Sequence, residues 1–584
     1  MQRKLTTQSY IALTYMLVLG MWGCTDQFQN FEKETPPKLE QSIETVSYKD
    51  AVFHEATESW IQPQKDPYTL ENFQRAYENL SSGNSVQTLT RSVTEEFTGL
   101  QQLEATHYAL KIYPKNEKEQ WKVELMEDVK VAYLPFDYVQ LSEDIVKNST
   151  ELTISEATLY PDESRYTVTY DDLETIEGPV EPETYVMPVL YVVWPIDKPL
   201  PHDLDYEVDY EVFLPQSVTQ MRSASLLSEH AMQVLENEAI QLTLGSLMQT
   251  KATTRSTSQT YTGIVTGYDY FAMDNMGIFI PIPNLKLRFQ LGSSIWDIYT
   301  QSDGNFSTIS DIPDAASFGY ILQHARWKIT SESSTAPISK TLLYQVGATW
   351  PMYNGNIDLR ASYPCFTSHC AANFYYHGLH ELTRYYYSDG IRIRASSNAN
   401  SANGMFTFSK SSPAYITIYN NNAQNTNYQI GTVLHELGHL THFGTRGGYD
   451  NYRTVHDLIA ESYGSYAGWY LGERYYFFLG YAKPFPALDP TGQGRQLWTM
   501  GSTSHYSPLF VDLIDDYDQS IAGTQYIFDA VSNVPHSVIA RIAREATNWT
   551  TCRSILEGYT GVYYTEYQIN SILGIYNFWF ANNN

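Results

Sequence analysis

The sequence predicts a multidomain α+β protein: an N-terminal mixed α/β region, a small central β-sandwich and a mainly helical C-terminal domain. Three observations carry this. The chain has 584 residues, too many for one core and enough for three or four domains of ordinary size. At 43% hydrophobic and 17% charged residues, its composition is that of a folded protein. The local pattern also changes twice, near residues 260 and 350, from mixed signals to short strands and then to helical periodicity.

The first 24 residues read as an export signal. Arg3 and Lys4 form a basic n-region, and Tyr10 to Gly23 an apolar segment too short for a comfortable membrane span. Gly23-Cys24 resembles a bacterial lipobox, with Met21 and Trp22 in place of the usual Leu and small residue. The expectation is a lipidated Cys24 and attachment to the outer membrane through that lipid, on the periplasmic or the outer face. Residues 25–63 are polar and Pro/Glu-rich, which suits a tether. No later stretch is apolar for long enough to cross a bilayer.

Residues 64–260 mix strands and helices. THYALKIYP (106–114) and DVKVAYLPF (128–136) alternate as strands do, and YVMPVLYVVWPI (185–196) reads as a buried strand. Residues 226–248 have helical periodicity, and the Ser/Thr-rich 251–260 reads as a linker. Residues 261–350 hold YTGIVTGYDYF, NLKLRFQL and IWDIYTQ, then the turn Ser302-Asp303-Gly304-Asn305 before a strand at Phe306. Short strands in that number suggest a sandwich. The strand, strand, Ser-Asp-Gly-Asn-Phe order resembles the transthyretin-like, carboxypeptidase-regulatory-type domain, an accessory module without chemistry of its own. Beyond 351, helices are predicted at 374–387, 429–443 and 455–473, with a strand at 416–422.

Charge narrows the function. The 65 acidic and 37 basic side chains give a net charge of −28, which is unsuited to holding phosphate backbones and excludes nucleic acid as the expected partner. Export implies an oxidising compartment, so one disulfide among Cys365, Cys370 and Cys552 is expected, with the pairing left open.

The chemistry concentrates at His435-Glu436-Leu437-Gly438-His439, a full HExxH motif. Spacing of i, i+4 puts both imidazoles on one helix face, within reach of a single zinc ion. Glu436 then points toward the remaining coordination position, where it can take a proton from water. With 14 His in 584 residues, chance supplies only about 0.02 such motifs per chain. Ile430, Val433, Leu434, Leu437 and Leu440 gather on one side of the helix, and His435, His439 and His442 on the other.

The third ligand decides between a structural and a catalytic site. His442 lies about 10.5 Å along the axis from His435, so one straight helix cannot converge all three imidazoles on one ion. The metzincin pattern fails as well, since it needs Gly and His where this chain has His442 and Thr445. Glu461, on the next helical segment, is the better candidate. Asp457 and Glu473 are weaker rivals on that segment. Two His and a Glu make a gluzincin-like set with an open position.

HELGHLTHF, AESYGSYAGWYLG and Ser507-Pro508-Leu509-Phe510-Val511-Asp512-Leu513-Ile514-Asp515-Asp516 together resemble the zinc-dependent metalloprotease lipoproteins of the Bacteroidota. Tyr463 departs from that pattern, standing where Trp is expected. The resemblance implies a zincin-like metallopeptidase domain over 351–584, with zinc on His435, His439 and Glu461 and Glu436 as catalytic base. Its substrates would be proteins, peptides or glycoproteins, and outer-membrane nutrient-uptake proteins would be its partners. The 48 tyrosines suit contact with sugar or peptide. Tyr506 and His505 are the first candidates for stabilising the oxyanion, ahead of His456 and Tyr463. His442 is expected to support the ligands or to face substrate. The competing reading is a surface nutrient- or glycan-binding lipoprotein whose zinc site is vestigial or structural. An intact Glu436 argues against it, because a structural site has no use for a base.

Overall fold

A computed structural model describes residues 52–54, 59–83, 85, 91–98, 103–141, 167–215, 227–248, 261–269, 278–308, 312–313, 316–343, 355–358, 365–382, 390–398, 400, 403–420, 426–479, 509–515, 531–559, 567–568, 572, 574 and 576. The signal segment, Cys24, the linker at 251–260, His505 and Tyr506 lie outside these residues. The fold is α+β, with helices and several small sheets. No helix among the described residues is long and apolar enough to cross a membrane.

The N-terminal sheet is antiparallel. His107–Tyr113 (β1), Lys130–Ala132 (β2), Leu190–Pro195 (β4) and Asp205–Val212 (β5) lie in the order β5-β1-β4-β2, and Glu183–Val186 (β3) pairs separately with Thr167–Tyr170. The apolar run at 185–196 is therefore two strands rather than one. Pro188 falls at the break, where a residue without an N–H cannot extend a ladder. Val52–His54 and Ser59–Pro63, expected as tether, pair with each other as strands, in keeping with their β-branched and aromatic residues Val52, Phe53, Trp60 and Ile61. Helices Leu70–Ser81 (α1), Glu117–Glu124 (α2) and Glu229–Met248 (α3) belong to this region, as does a shorter helix over Arg91–Thr98. Thr69 caps α1 and Asn116 caps α2, each accepting a backbone N–H with its side chain.

Two further sheets follow. Thr262–Asp269 (β6), Ile278–Pro281 (β7) and Asn305–Ser307 (β10) form one, joined in parallel by Gly355–Asp358 (β14). Lys286–Leu291 (β8), Ser294–Tyr299 (β9), Ser317–Ile321 (β11) and Ser339–Leu343 (β13) form the other, in the order β9-β8-β11-β13. Phe306 of the first stacks on Phe318 of the second, with ring centroids 6.0 Å apart. At the predicted turn, Gly304 takes φ of +78°, a conformation that glycine adopts without strain.

Trp327–Thr330 (β12) falls within the segment read as sandwich, where it makes isolated antiparallel bridges, Lys328 to Gln323 and Thr330 to Pro337, but its strand partner lies outside that segment. It runs parallel to Ile391–Ala395 (β15), which runs parallel to Tyr415–Ile418 (β17), and Gly404–Thr407 (β16) closes the edge antiparallel to β17. Helices Cys365–Leu382 (α4), Thr426–Thr445 (α5), Tyr449–Tyr452 (α6), Asp457–Phe478 (α7), Leu509–Asp512 (α8), His536–Glu545 (α9) and Trp549–Glu557 (α10) make up the rest. One hydrophobic cluster extends from Tyr68 to Tyr576 and includes the interior of α5 and α7. No disulfide joins Cys365, Cys370 and Cys552, so the expected pairing is not formed among them.

Candidate metal centre

The centre is built by two helices. On α5, Ile430, Val433, Leu434, Leu437 and Leu440 are fully buried, as the apolar stripe requires. The histidine side is buried too, because α7 packs along it. A Schellman turn ends α5: Gly448 N–H donates to Phe443 O, Gly447 N–H to Gly444 O, and Gly447 takes φ of +83°. The chain thereby reverses, and α6 leads into α7. His456 caps α7 by accepting the Leu458 N–H at 3.2 Å, while its own N–H donates to Thr547 O.

Glu461 lies one turn into α7 and meets both imidazoles. Its Oε2 is 3.2 Å from His435 Nε2 and 3.6 Å from His439 Nε2, and the two nitrogens stand 2.9 Å apart. Four donors placed tetrahedrally about 2.1 Å from one ion stand about 3.4 Å apart, so this triangle has the size that zinc requires. All three side chains are buried and converge as a potential ligand group. Tyr452 Oη lies 3.5 Å from His439 Nδ1, where it can accept from Nδ1–H in the tautomer that leaves Nε2 free to coordinate.

Electrostatics fit the same arrangement. Burial by itself would raise the Glu461 carboxyl, but the imidazoles of His439 and His435 override it and hold the group well below the usual carboxylate range. Burial likewise opposes a proton on His439, and Glu461 overcomes that to lift its imidazole.

Glu436 is buried on the same turn as His435, under the edge strand β16. A side chain at Gly404 would start 2.8 Å from Glu436 Oε1, so the strand passes over the carboxylate with room for glycine alone.

The other sequence candidates fall elsewhere. His442 is fully buried between Tyr452 and Tyr463, with ring centroids 5.2 and 5.1 Å away, and neither ring nitrogen has a hydrogen-bond partner of good geometry. Burial, with His439 and Arg446 nearby, pushes its imidazole down to about 3. On α5 itself, it is enclosed by these rings and reaches no solvent. Tyr463 is also fully buried, packing against His442, Tyr466 and Phe510. His456 is occupied as a cap. Asp457 and Glu473 are not part of the ligand group, and burial lifts the Glu473 carboxyl to about 7.

Sequence reading missed Tyr452, Gly404 and the small residues between the helices. A Cβ at Gly438 would lie 2.6 Å from Ala467 Cβ, and one at Gly468 2.9 Å from Gly431 O. Glycines three and seven residues beyond Glu461 share its helix face, and that spacing was the available signal. No protein-family model matches the chain, and no curated protein matches it either.

Proposed function

We propose that the chain is an exported zinc metallopeptidase, hydrolysing peptide bonds in proteins, peptides or glycoproteins. The observation that carries this is the buried triangle of His435, His439 and Glu461 donor atoms, with Glu436 beside it. The motif resemblance supports placing it with the zinc-dependent metalloprotease lipoproteins of the Bacteroidota. In that reading 351–584 is a zincin-like domain, 261–350 a transthyretin-like sandwich, and Cys24 the lipid-bearing residue.

His435, His439 and Glu461 would hold the ion through three protein ligands, the number typical of catalytic sites. Bound zinc supplies a Lewis acid that polarises a carbonyl and brings the pKa of water to about 7. Glu436 accepts the proton of the attacking water and returns it to the leaving amine. The edge strand supports an extended peptide as substrate. Tyr419 N–H donates to Asn403 O, and this register turns the backbone groups of Gly404 and Phe406 away from β17. Phe408, two residues on, uses its outward groups to pair with Glu174. Gly404 and Phe406 thus present the edge that a substrate strand could extend.

The test compares wild type with Glu436→Gln on a mixed peptide library, with metal content measured on both. The expected result is retained zinc and cleavage reduced by at least about 100-fold. Undiminished cleavage by the variant would sink the mechanism. Bound zinc with no wild-type cleavage would favour the nutrient- or glycan-binding reading.

A further inference from the structure

We infer that Gly464 is a positioning residue of the metal centre, kept without a side chain so that the two imidazoles can stand where they do. The inference rests on the metal-binding reading above. Gly464 lies mid-helix in α7, where glycine costs about 1 kcal/mol relative to alanine. Its backbone does not require glycine, because it is not among the glycines with positive φ. What it lacks is space. A Cβ at Gly464 would stand 2.7 Å from both Cε1 and Nε2 of His439, and 2.9 Å from His435 Nε2.

The neighbouring small residues differ in kind. The methyl missing at Gly438 would meet Ala467 Cβ, and that missing at Gly468 would meet Gly431 O and the base of His435. These are contacts of helix against helix. Only the one at Gly464 is directed at the two ring nitrogens of the donor triangle. Both rings are held in buried packing, so they would have to turn to admit it. Turning either ring moves its Nε2 off the triangle of 2.9, 3.2 and 3.6 Å that suits one ion.

The experiment takes the full chain as wild type and Gly464→Ala. Each is stripped with EDTA, melted without metal, then titrated with zinc and, separately, with cobalt(II) followed by its visible absorption. The metal-free variant should melt within a few degrees of wild type, since alanine favours the helix. Its zinc affinity should fall about 10- to 100-fold, the range seen when supporting residues of metal sites are altered. The cobalt spectrum should shift from that of a four-coordinate site. A variant that binds zinc as tightly as wild type with the same cobalt spectrum would overturn the inference. So would a variant that fails to fold without metal, which would make Gly464 a packing residue only. Wild type that binds neither metal would overturn the metal-centre reading itself, before the variant is compared.

Discussion

The two faces of the β12-β15-β17-β16 sheet both bury charge, and they neutralise it differently. On the face away from the helices, each cation meets a carboxylate from the N-terminal region. Lys328 pairs with Glu124 at 3.4 Å, Arg392 with Glu117 at 2.7 Å, and Arg394 with Glu183 at 2.6 Å. The Arg392 guanidinium is also clasped between the Tyr185 and Tyr415 rings, 4.4 and 4.3 Å from their centroids. On the helix face, Glu461 meets two imidazoles and, among the described residues, no Lys or Arg. A buried carboxylate is costly unless its charge is met. The first face is balanced by its own side chains, whereas the second is arranged as if a cation from outside completes it.

The contrast can be broken most forcefully at Arg392. Arg392→Met leaves Glu117, 1% exposed, without its cation and should cost about 3–5 kcal/mol in denaturant unfolding. Adding Glu117→Leu should recover most of that loss, because replacing a whole buried pair by apolar groups is close to neutral. A single variant as stable as wild type would show that this face does not depend on its pairing.

A smaller effect separates two kinds of buried imidazole. His439 has a carboxylate beside it and is lifted, while His369 has none, and burial pushes it down to about 4. His369 Nδ1 accepts the Trp327 indole N–H at 3.4 Å, and its Nε2–H donates to Pro283 O at 2.9 Å, so the ring is held neutral. The unfolded imidazole takes a proton near pH 6.5 that the folded one refuses. Its contribution to stability is therefore full above about 6.5 and is lost as pH falls toward about 4. The stability gap between wild type and His369→Gln should narrow by about 3 kcal/mol over that window. A gap that is constant, or that widens in acid, would contradict the assignment.

The front face was legible in the sequence to a degree that the back was not. The stripe on α5 and the i, i+4 histidines are local patterns; helix geometry argued against His442 as third ligand, and the gluzincin-like spacing to the next helical segment pointed to Glu461, which the fold brings to both imidazoles. The back face depends on distant pairings. Ile391-Arg392-Ile393-Arg394 alternates apolar and basic residues, and nothing local shows that its basic side is buried against the carboxylates of Glu117 and Glu183, about 200–300 residues upstream. The same holds for β12, whose alternation marks a strand but cannot choose β15 over the neighbouring sheets. His442 misled for a related reason: its helix face was predicted correctly, but the aromatic rings of Tyr452 and Tyr463 that enclose it come from other helices. Close approach was the least visible feature, since a glycine says that something is near without saying what.

The central claim is that His435, His439 and Glu461 hold one metal ion. Zinc stoichiometry and affinity of wild type beside Glu461→Gln test it most directly. The account predicts one zinc per chain in wild type, with affinity falling by at least about 100-fold in the variant while its fold persists. Equal zinc affinity in the two proteins, or no zinc in wild type, would contradict it.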